Sequence, residues 1–393
     1  MSSIRLMFVM GTRPEAIKLA PVILEARNRK PVFDVTVVST AQHREMLDDV
    51  LTTFGIQPDR DLDVMHPRQS LYHVTSDVIR KMERVIDDYD PDILVVQGDT
   101  NTCLAAGLSG FYAGKKVAHV EAGLRTGDKR MPFPEELNRR LTSVLTDYHF
   151  APTERARRNL IEEGFDDDAI FVTGNTVIDA LKQTLAAQHK APDLMRMYES
   201  VFLGYPRIVL ITGHRRENIG RPFDQIWKAL RISALQNPEV AYVYPVHPNP
   251  NVRNHVEALL GDIKNFFLLP PLSYPEFCWL MKRSYLIVTD SGGIQEEAPA
   301  LGKPVLVTRE KTERPEAVDE GLVKLVGHDT KQLLTHIHLL LHDPSTYGAM
   351  SGGGSPYGDG KASGRILDIL QLVSNVESEA ACRGELQEES ILI

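Results

Sequence analysis

"LMFVMGTRPEAIKLAP" occupies residues 6–21. The apolar run from Leu6 to Met10 has no polar alternation, as expected of a parallel strand buried on both faces. Gly11 then permits a tight turn and close backbone approach, Thr12 can cap a helix, and Pro14 suits the first helical position. Strand, glycine turn and helix make the opening of a βαβ unit. The same figure returns along the chain. Strands are predicted at 34–40, 92–97, 116–120, 148–151 and 170–173, and a second series at 207–212, 240–246, 266–270, 285–289, 304–308 and 322–326. Each is separated from the next by enough chain for a helix, which predicts open, doubly wound sheets. The fold class is α/β, with two Rossmann-like domains facing a cleft. The first domain is expected over residues 1–178 and the second over 179–363. A C-terminal helix is predicted at about 364–376, and a polar, acidic tail, expected to be flexible, fills 377–393.

Composition narrows the function. The chain has 393 residues, 42% hydrophobic and 25% charged, with a formal net charge of −9. That balance argues against general binding to nucleic acid or a membrane surface, which needs a basic field. An anionic ligand must be met by a local cluster of cations. Three cysteines without a CxxC pair indicate neither a disulfide framework nor a zinc ribbon. No apolar stretch approaches the length of a membrane span, so a soluble, cytoplasmic protein is expected.

The ligand-facing edge of such sheets is the carboxyl end of the strands. Arg13 lies there beside a helix start, where anions are favoured, with Lys18 about a turn inside. "VVQGDTNT" places Asp99 at the same edge, and "KVAHVEAGLRT" places Glu121. "FPEELNRRLTSVL" starts a helix at Pro134, with Leu137, Leu141, Val144 and Leu145 as its expected buried stripe and Glu135 and Glu136 in its first turn. In the second series, "TDSGGIQEEAPALGKPVLV" opens a helix with Ser291, Gly292 and Gly293, a cradle for a diphosphate. Glu297, a turn further, can accept ribose hydroxyls. "LITGHRREN" brings His214, Arg215 and Arg216 to a strand end, and Arg314 is a further cation. GxGxxG and Walker A patterns are absent, which weakens nicotinamide and ATP readings. His338 and His342 have a helical metal-ligand spacing but no third ligand nearby.

Together, "GTRPEAIKLAP", "TAQHREML", "GDTNT", "HVEAGLRTGD", "PFPEELNRR", "TGNTVIDAL", "TGHRREN", "YPVHPNPNV", "TERPEAV" and "PYGDGKAS" resemble the bacterial non-hydrolysing UDP-N-acetylglucosamine 2-epimerases over about residues 4–370. The resemblance implies glycosyltransferase-B architecture with the C-terminal helix at about 364–376 packing back on the first domain, a homodimer, and no cofactor or metal. It implies interconversion of UDP-N-acetylglucosamine and UDP-N-acetylmannosamine through UDP and 2-acetamidoglucal. It assigns acid/base work to Asp99, Glu121, Glu135 and His214, and UDP or substrate binding to Arg13, Lys18, Ser291, Gly292, Gly293, Glu297 and Arg314, with Phe277 near the uracil. A second UDP-N-acetylglucosamine as activator implicates Gln42, His43, Arg68, Arg215 and His247. Leu272 stands where some members carry glutamine. The alternatives are the same chemistry on a diacetamido-uronic acid nucleotide, a hydrolysing epimerase, a glycosyltransferase and a non-catalytic nucleotide-sugar sensor. Val305, eight positions after Glu297, breaks the Glu-x7-Glu pattern of many retaining transferases.

Overall fold

The computed structural model describes residues 3–42, 44–65, 70–187, 192–213, 221–246 and 250–391. The chain divides into two compact units, one formed by residues 1–180 with 358–393 and the other by residues 181–357.

The strands of the first unit are β1 (Ile4–Met10), β2 (Phe33–Ser39), β3 (Arg60–Asp61), β4 (Ile93–Gln97), β5 (Lys116–Val120), β6 (Tyr148–Ala151) and β7 (Ile170–Val172). Those of the second are β8 (Arg207–Thr212), β9 (Val240–Pro245), β10 (Phe266–Leu269), β11 (Leu286–Thr289), β12 (Val305–Val307) and β13 (Val323–Leu325). Between them run α1 (Arg13–Asn28), α2 (Arg44–Phe54), α3 (Leu71–Tyr89), α4 (Asn101–Tyr112), α5 (Glu135–Leu145), α6 (Glu154–Glu162), α7 (Thr176–Ala187) and α8 (Pro192–Val201). The series continues with α9 (Arg221–Gln236), α10 (Pro250–Leu260), α11 (Tyr274–Arg283), α12 (Gly292–Ala300), α13 (Glu316–Asp319), α14 (Thr330–His342), α15 (Pro344–Ser351) and α16 (Ala362–Ile391).

Both sheets are parallel throughout the described pairings, as continuous apolar strands require. Their orders are β3-β2-β1-β4-β5-β6-β7 and β10-β9-β8-β11-β12-β13. Winding reverses between β1 and β4 in one unit and between β8 and β11 in the other. Loops part at such a reversal and leave a crevice beyond the strand ends. In unit 1, Met7 and Val9 pack with Val38, Leu94 and Val96 under Val78 and Met82 of α3. In unit 2, Val209, Tyr242 and Val288 pack under Trp227 of α9 and Ile337 of α14.

Two features differ from the sequence expectation, the inner face of α5 and the boundary after residue 357. Helix α5 turns its polar face inward. Leu137, Leu141 and Val144 are 39%, 44% and 71% exposed, whereas Glu136, Asn138, Arg139, Thr142 and Ser143 are buried. The buried polar groups bind backbone and loop side chains, which outweighs the apolar periodicity. Helical backbone continues α16 to Ile391, into the acidic stretch 377–393 expected as a flexible tail. Its Glu, Ala and Gln residues are good helix formers, and they prolong a helix already begun, which needs no new nucleus. The second boundary, expected at 363/364, falls after Tyr357.

Residues 358–363 join unit 1 through specific bonds. Asp179 of α7 accepts from the backbone amides of Ala362 (3.2 Å) and Ser363 (2.9 Å), capping α16. Gly358 lies so close to Gly174 that a Cβ would stand 3.2 Å from its Cα. Arg29, the residue that follows α1, also binds Asp368 of α16 at 2.5 Å. His342 takes a structural bond, to Asn237 Oδ1 at 2.8 Å.

Candidate active site

At the unit 1 edge, Glu121 follows β5 with φ of 68°, a left-handed conformation that a non-glycine residue adopts at a cost. It is locked there by its neighbours. Ala122 donates its amide to Phe150 O at 3.1 Å, and a Cβ on Gly123 would stand 2.2 Å from Ala156 O. The Glu121 carboxylate ion-pairs with Lys18 Nζ. Its Oε2 also accepts from Asn175 Nδ2 at 3.0 Å. Lys18, expected to meet the substrate diphosphate, is thus buried against a candidate acid/base group.

Asp99 follows β4 and ion-pairs with Arg139 of α5. Asn138 Nδ2 donates to the Asp99 carbonyl at 3.0 Å. The same Arg139 binds Glu136 at 3.0 Å. Glu136 also accepts from the amides of Thr126 (3.1 Å) and Gly127 (3.3 Å). Glu136 is therefore a loop anchor, and Glu135 beside it is half-buried at the helix start. Other charges of this stretch are structural too. Arg125 grips Glu163 with two bonds of 2.9 and 2.7 Å, and Arg140 reaches the same carboxylate at 3.2 Å.

The loop after β1 holds a surprise. Glu15, buried at the third position of α1, accepts from Gly11 N (2.9 Å), Thr12 N (2.8 Å) and Thr12 Oγ1 (2.8 Å). Its other oxygen accepts from Thr100 Oγ1 at 2.5 Å. Burial pushes this carboxyl up to about 6, against four donors that favour its charge. The amides expected to cradle an anion are therefore committed to an internal carboxylate. Half-buried Arg13 remains the candidate cation of this loop, with no ion-pair partner among the described residues. Gln42 of the expected activator set accepts from Thr102 Oγ1 at 3.0 Å.

In unit 2, Ser291 caps the start of α12. Gly292 is indispensable there, since a Cβ would stand 2.6 Å from Arg314 Nη1. The buried Arg314 binds Glu296 at 2.5 Å and Glu313 at 2.6 Å. The guanidinium thus lies beside the N-terminus of α12, with its charge shared by two carboxylates. Glu297 is buried, and its Oε1 accepts from Tyr274 OH at 2.8 Å. At the sixth position of α12 it is no first-turn acid stabilised by the dipole. Phe277 lies half-buried on α11, one turn after Tyr274. Gly213, at the end of β8, places its Cα near Asp290, with a built Cβ 3.6 Å from Asp290 Oδ2.

His214, Arg215 and His247 lie outside the described residues, as do His43 and Arg68. Sequence reasoning missed Glu15, Asn175, Arg139 and Tyr274. Only Glu15 had a local signal, the T-x-x-E spacing of Thr12 and Glu15 at a helix start. Asn175 and Arg139 meet their partners across 54 and 40 residues.

Two parallel sheets with this winding and these loop-borne groups belong to the glycosyltransferase-B-like α/β enzymes. The family described as UDP-N-acetylglucosamine 2-epimerase matches residues 25–371. The chain is 49% identical over 371 residues to the UDP-N-acetylglucosamine 2-epimerase of Salmonella typhimurium, covering 93% of this chain and 98% of that one. The crystal structure of the Neisseria meningitidis UDP-GlcNAc 2-epimerase bound to UDP-GlcNAc is 46% identical, with a TM-score of 0.88, over 93% of this chain and 99% of that one. The Staphylococcus aureus MnaA–UDP structure is 45% identical, with a TM-score of 0.87, over 95% and 97%. The chain belongs to the UDP-N-acetylglucosamine 2-epimerase family and is an isomerase. Among the described residues no helix is long and apolar enough to cross a membrane.

Proposed function

We propose that the protein interconverts UDP-N-acetylglucosamine and UDP-N-acetylmannosamine without hydrolysis. The observation that carries the proposal is the Glu121 carboxylate, held in a left-handed backbone conformation between Lys18 and Asn175. A carboxylate so constrained at the ligand-facing edge suits proton transfer at a fixed carbon.

The C2 proton of the sugar is not acidified by a carbonyl, so direct abstraction leaves an unstabilised carbanion. Elimination avoids this. The C1–O bond breaks with its electron pair going to UDP, a base takes the C2 proton, and the C1–C2 double bond of 2-acetamidoglucal forms. In the return, a UDP oxygen bonds C1 while a proton is delivered to the opposite face of C2. Inversion therefore needs proton-handling groups on both faces, and Asp99, Glu121, Glu135 and His214 are assigned to them. The diphosphate leaving group is assigned to Arg13, Arg314 and the Ser291–Gly293 helix start. Lys18 orients Glu121 in addition to any role toward the diphosphate. Glu297 takes the ribose and Phe277 the uracil. The relatives with UDP-GlcNAc and UDP bound support this assignment of ligand.

The exposed apolar face of α5 supports a homodimer. A second UDP-N-acetylglucosamine as activator, near Gln42, and a cytoplasmic location complete the proposal.

The test is incubation with UDP-N-acetylglucosamine in deuterated water, followed by proton NMR. UDP-N-acetylmannosamine with deuterium at C2 is expected, and Glu121→Gln or Asp99→Asn abolishes it. Free N-acetylmannosamine with UDP as sole products makes the enzyme a hydrolysing one. A folded chain that binds UDP without turnover is a sensor.

A further inference from the structure

Glu15 sits where the unit 1 sheet reverses its winding, and the chemistry proposed above does not use it. Its carboxylate joins two loops. One follows β1 and carries Gly11, Thr12 and Arg13. The other follows β4 and carries Asp99 and Thr100. Oε2 takes three donors from the first loop, at 2.8–2.9 Å, and Oε1 takes the Thr100 hydroxyl of the second at 2.5 Å. The loops are also pressed together from the other side. A Cβ on Gly11 would stand 2.1 Å from Thr40 Oγ1 and 2.5 Å from Thr102 Oγ1.

We infer that Glu15 is a positioning residue of the epimerase reaction, its two oxygens fixing the Arg13 loop against the loop that bears Asp99. The inference rests on the proposed function, since it gives Asp99 a proton to handle. The chemistry of the carboxylate favours this role over simple packing. An ionised carboxylate accepts at both oxygens and donates nothing, which matches four donors. A glutamine of the same shape accepts at one oxygen only. Placed to keep Gly11 and Thr12, its amide nitrogen faces Thr100, whose hydroxyl already accepts from Cys103 N at 3.0 Å. The Thr100 hydroxyl then has to turn its proton elsewhere. The Thr100 oxygen has a second lone pair that can accept from that nitrogen, so Glu15→Gln replaces a charge-assisted bond with a weaker neutral one and loosens the Asp99 loop without cutting the link. Thr100→Val cuts the same link from the other end, and Thr100→Ser keeps it.

The experiment measures kcat and KM for UDP-N-acetylglucosamine, and the Kd of UDP by calorimetry, on the full chain and these variants. Thr100→Val is expected to lower kcat roughly tenfold or more and Glu15→Gln about threefold, each with UDP Kd changed less than about threefold, a loss confined to the transition state. The double variant is expected to fall no further than the worse single one, as coupled partners do. Thr100→Ser is expected within about twofold of the parent. The inference is overturned if either single variant keeps its kcat, if the two losses multiply, or if kcat and UDP binding collapse together. If circular dichroism shows Glu15→Gln unfolded, Thr100→Val and Thr100→Ser decide the matter between them. A parent chain that binds UDP but never turns over refutes the proposed function instead, and this inference falls with it.

Discussion

Asn175 donates its side-chain amide to Glu121 Oε2 across 3.0 Å, from a loop 54 residues further along the chain. The orientation of that amide is fixed, because its oxygen accepts from Val177 N at 3.0 Å. Lys18 approaches the same Glu121 oxygen. Removing the amide takes from the carboxylate a donor of fixed orientation. Asn175→Ala is expected to lower kcat about tenfold, the order of one lost orienting hydrogen bond to a charged group. Asn175→Asp is expected to be worse, because a second carboxylate then faces Glu121. Steady-state kinetics on both variants check this, and equal activity of Asn175→Asp and the parent would contradict the role given to Asn175.

Adjacent glycines at the start of α12 are expected to behave differently. A Cβ on Gly292 would stand 2.6 Å from Arg314 Nη1 and 2.8 Å from its Cζ. That guanidinium is tied to Glu296 and Glu313 and has little room to retreat. A Cβ on Gly293 meets Glu297 Oε2 at 3.8 Å, an ordinary contact. Gly292→Ala is expected to weaken UDP binding by tenfold or more, about 1.4 kcal/mol, while Gly293→Ala costs less than half of that. Calorimetric titration with UDP separates the two.

Acid stability turns on two histidines that pair across β5 and β6. Burial pulls His119 down to about 4, although Gly98 O accepts from its Nε2 at 2.7 Å. Burial and the neighbouring His119 pull His149 down to about 3. Both Nδ1 atoms are buried without a hydrogen-bond partner among the described residues, so neither side chain can shed a new charge. Folded pKa values below the unfolded value of 6.5 mean that the unfolded chain binds these protons first. Their stability is whole above pH 6.5 and is lost as pH falls toward 4, at up to about 1.4 kcal/mol per pH unit for each group. Glu15 acts in the opposite sense between its unfolded 4.5 and folded value of about 6, since its raised pKa favours the fold at lower pH. Two groups outweigh one. The melting temperature is expected to drop steeply below pH 6, less steeply in His149→Phe, as thermal scans between pH 5 and 7.5 check.

Leu137, Leu141 and Val144 form an exposed apolar row on α5, with Phe111 and Tyr112 of the neighbouring α4 also exposed. Such a row covers itself with a second copy in the proposed homodimer. Leu141→Glu is expected to halve the mass seen by light scattering while leaving the circular dichroism spectrum unchanged. A parent chain that is monomeric at micromolar concentration would remove the proposal.

The alternation of apolar runs and helical stretches was enough to read the sheets, because parallel strands are buried on both faces and leave uninterrupted Val, Ile and Leu. The two-residue strand β3 was invisible for the opposite reason, since Arg60 and Asp61 are exposed and carry no apolar pattern. The motif loops showed where Asp99, Glu121 and Ser291 stand relative to strand ends. They did not show which charges are consumed internally. Glu136 reads as an ordinary first-turn acid, yet it and Arg139 are buried, with partners in the loops that carry Asp99 and Thr126. Lys18 reads as a substrate cation, and nothing local in the sequence announces its ion pair with Glu121, 103 residues away. Periodicity also placed the apolar face of α5 inward, although polar satisfaction had already claimed the inner side.

The capping of α16 by Asp179 has a consequence for biosynthesis. Residues 181–357 form a contiguous unit, whereas the first unit needs two segments on either side of it. On the ribosome the C-terminal unit can close as soon as its own residues emerge. The N-terminal unit waits for Ala362 and Ser363 before Asp179 finds its donors and Arg29 finds Asp368. Unit 1 is the later of the two to gather all its segments, and Glu121 and Asp99 belong to it.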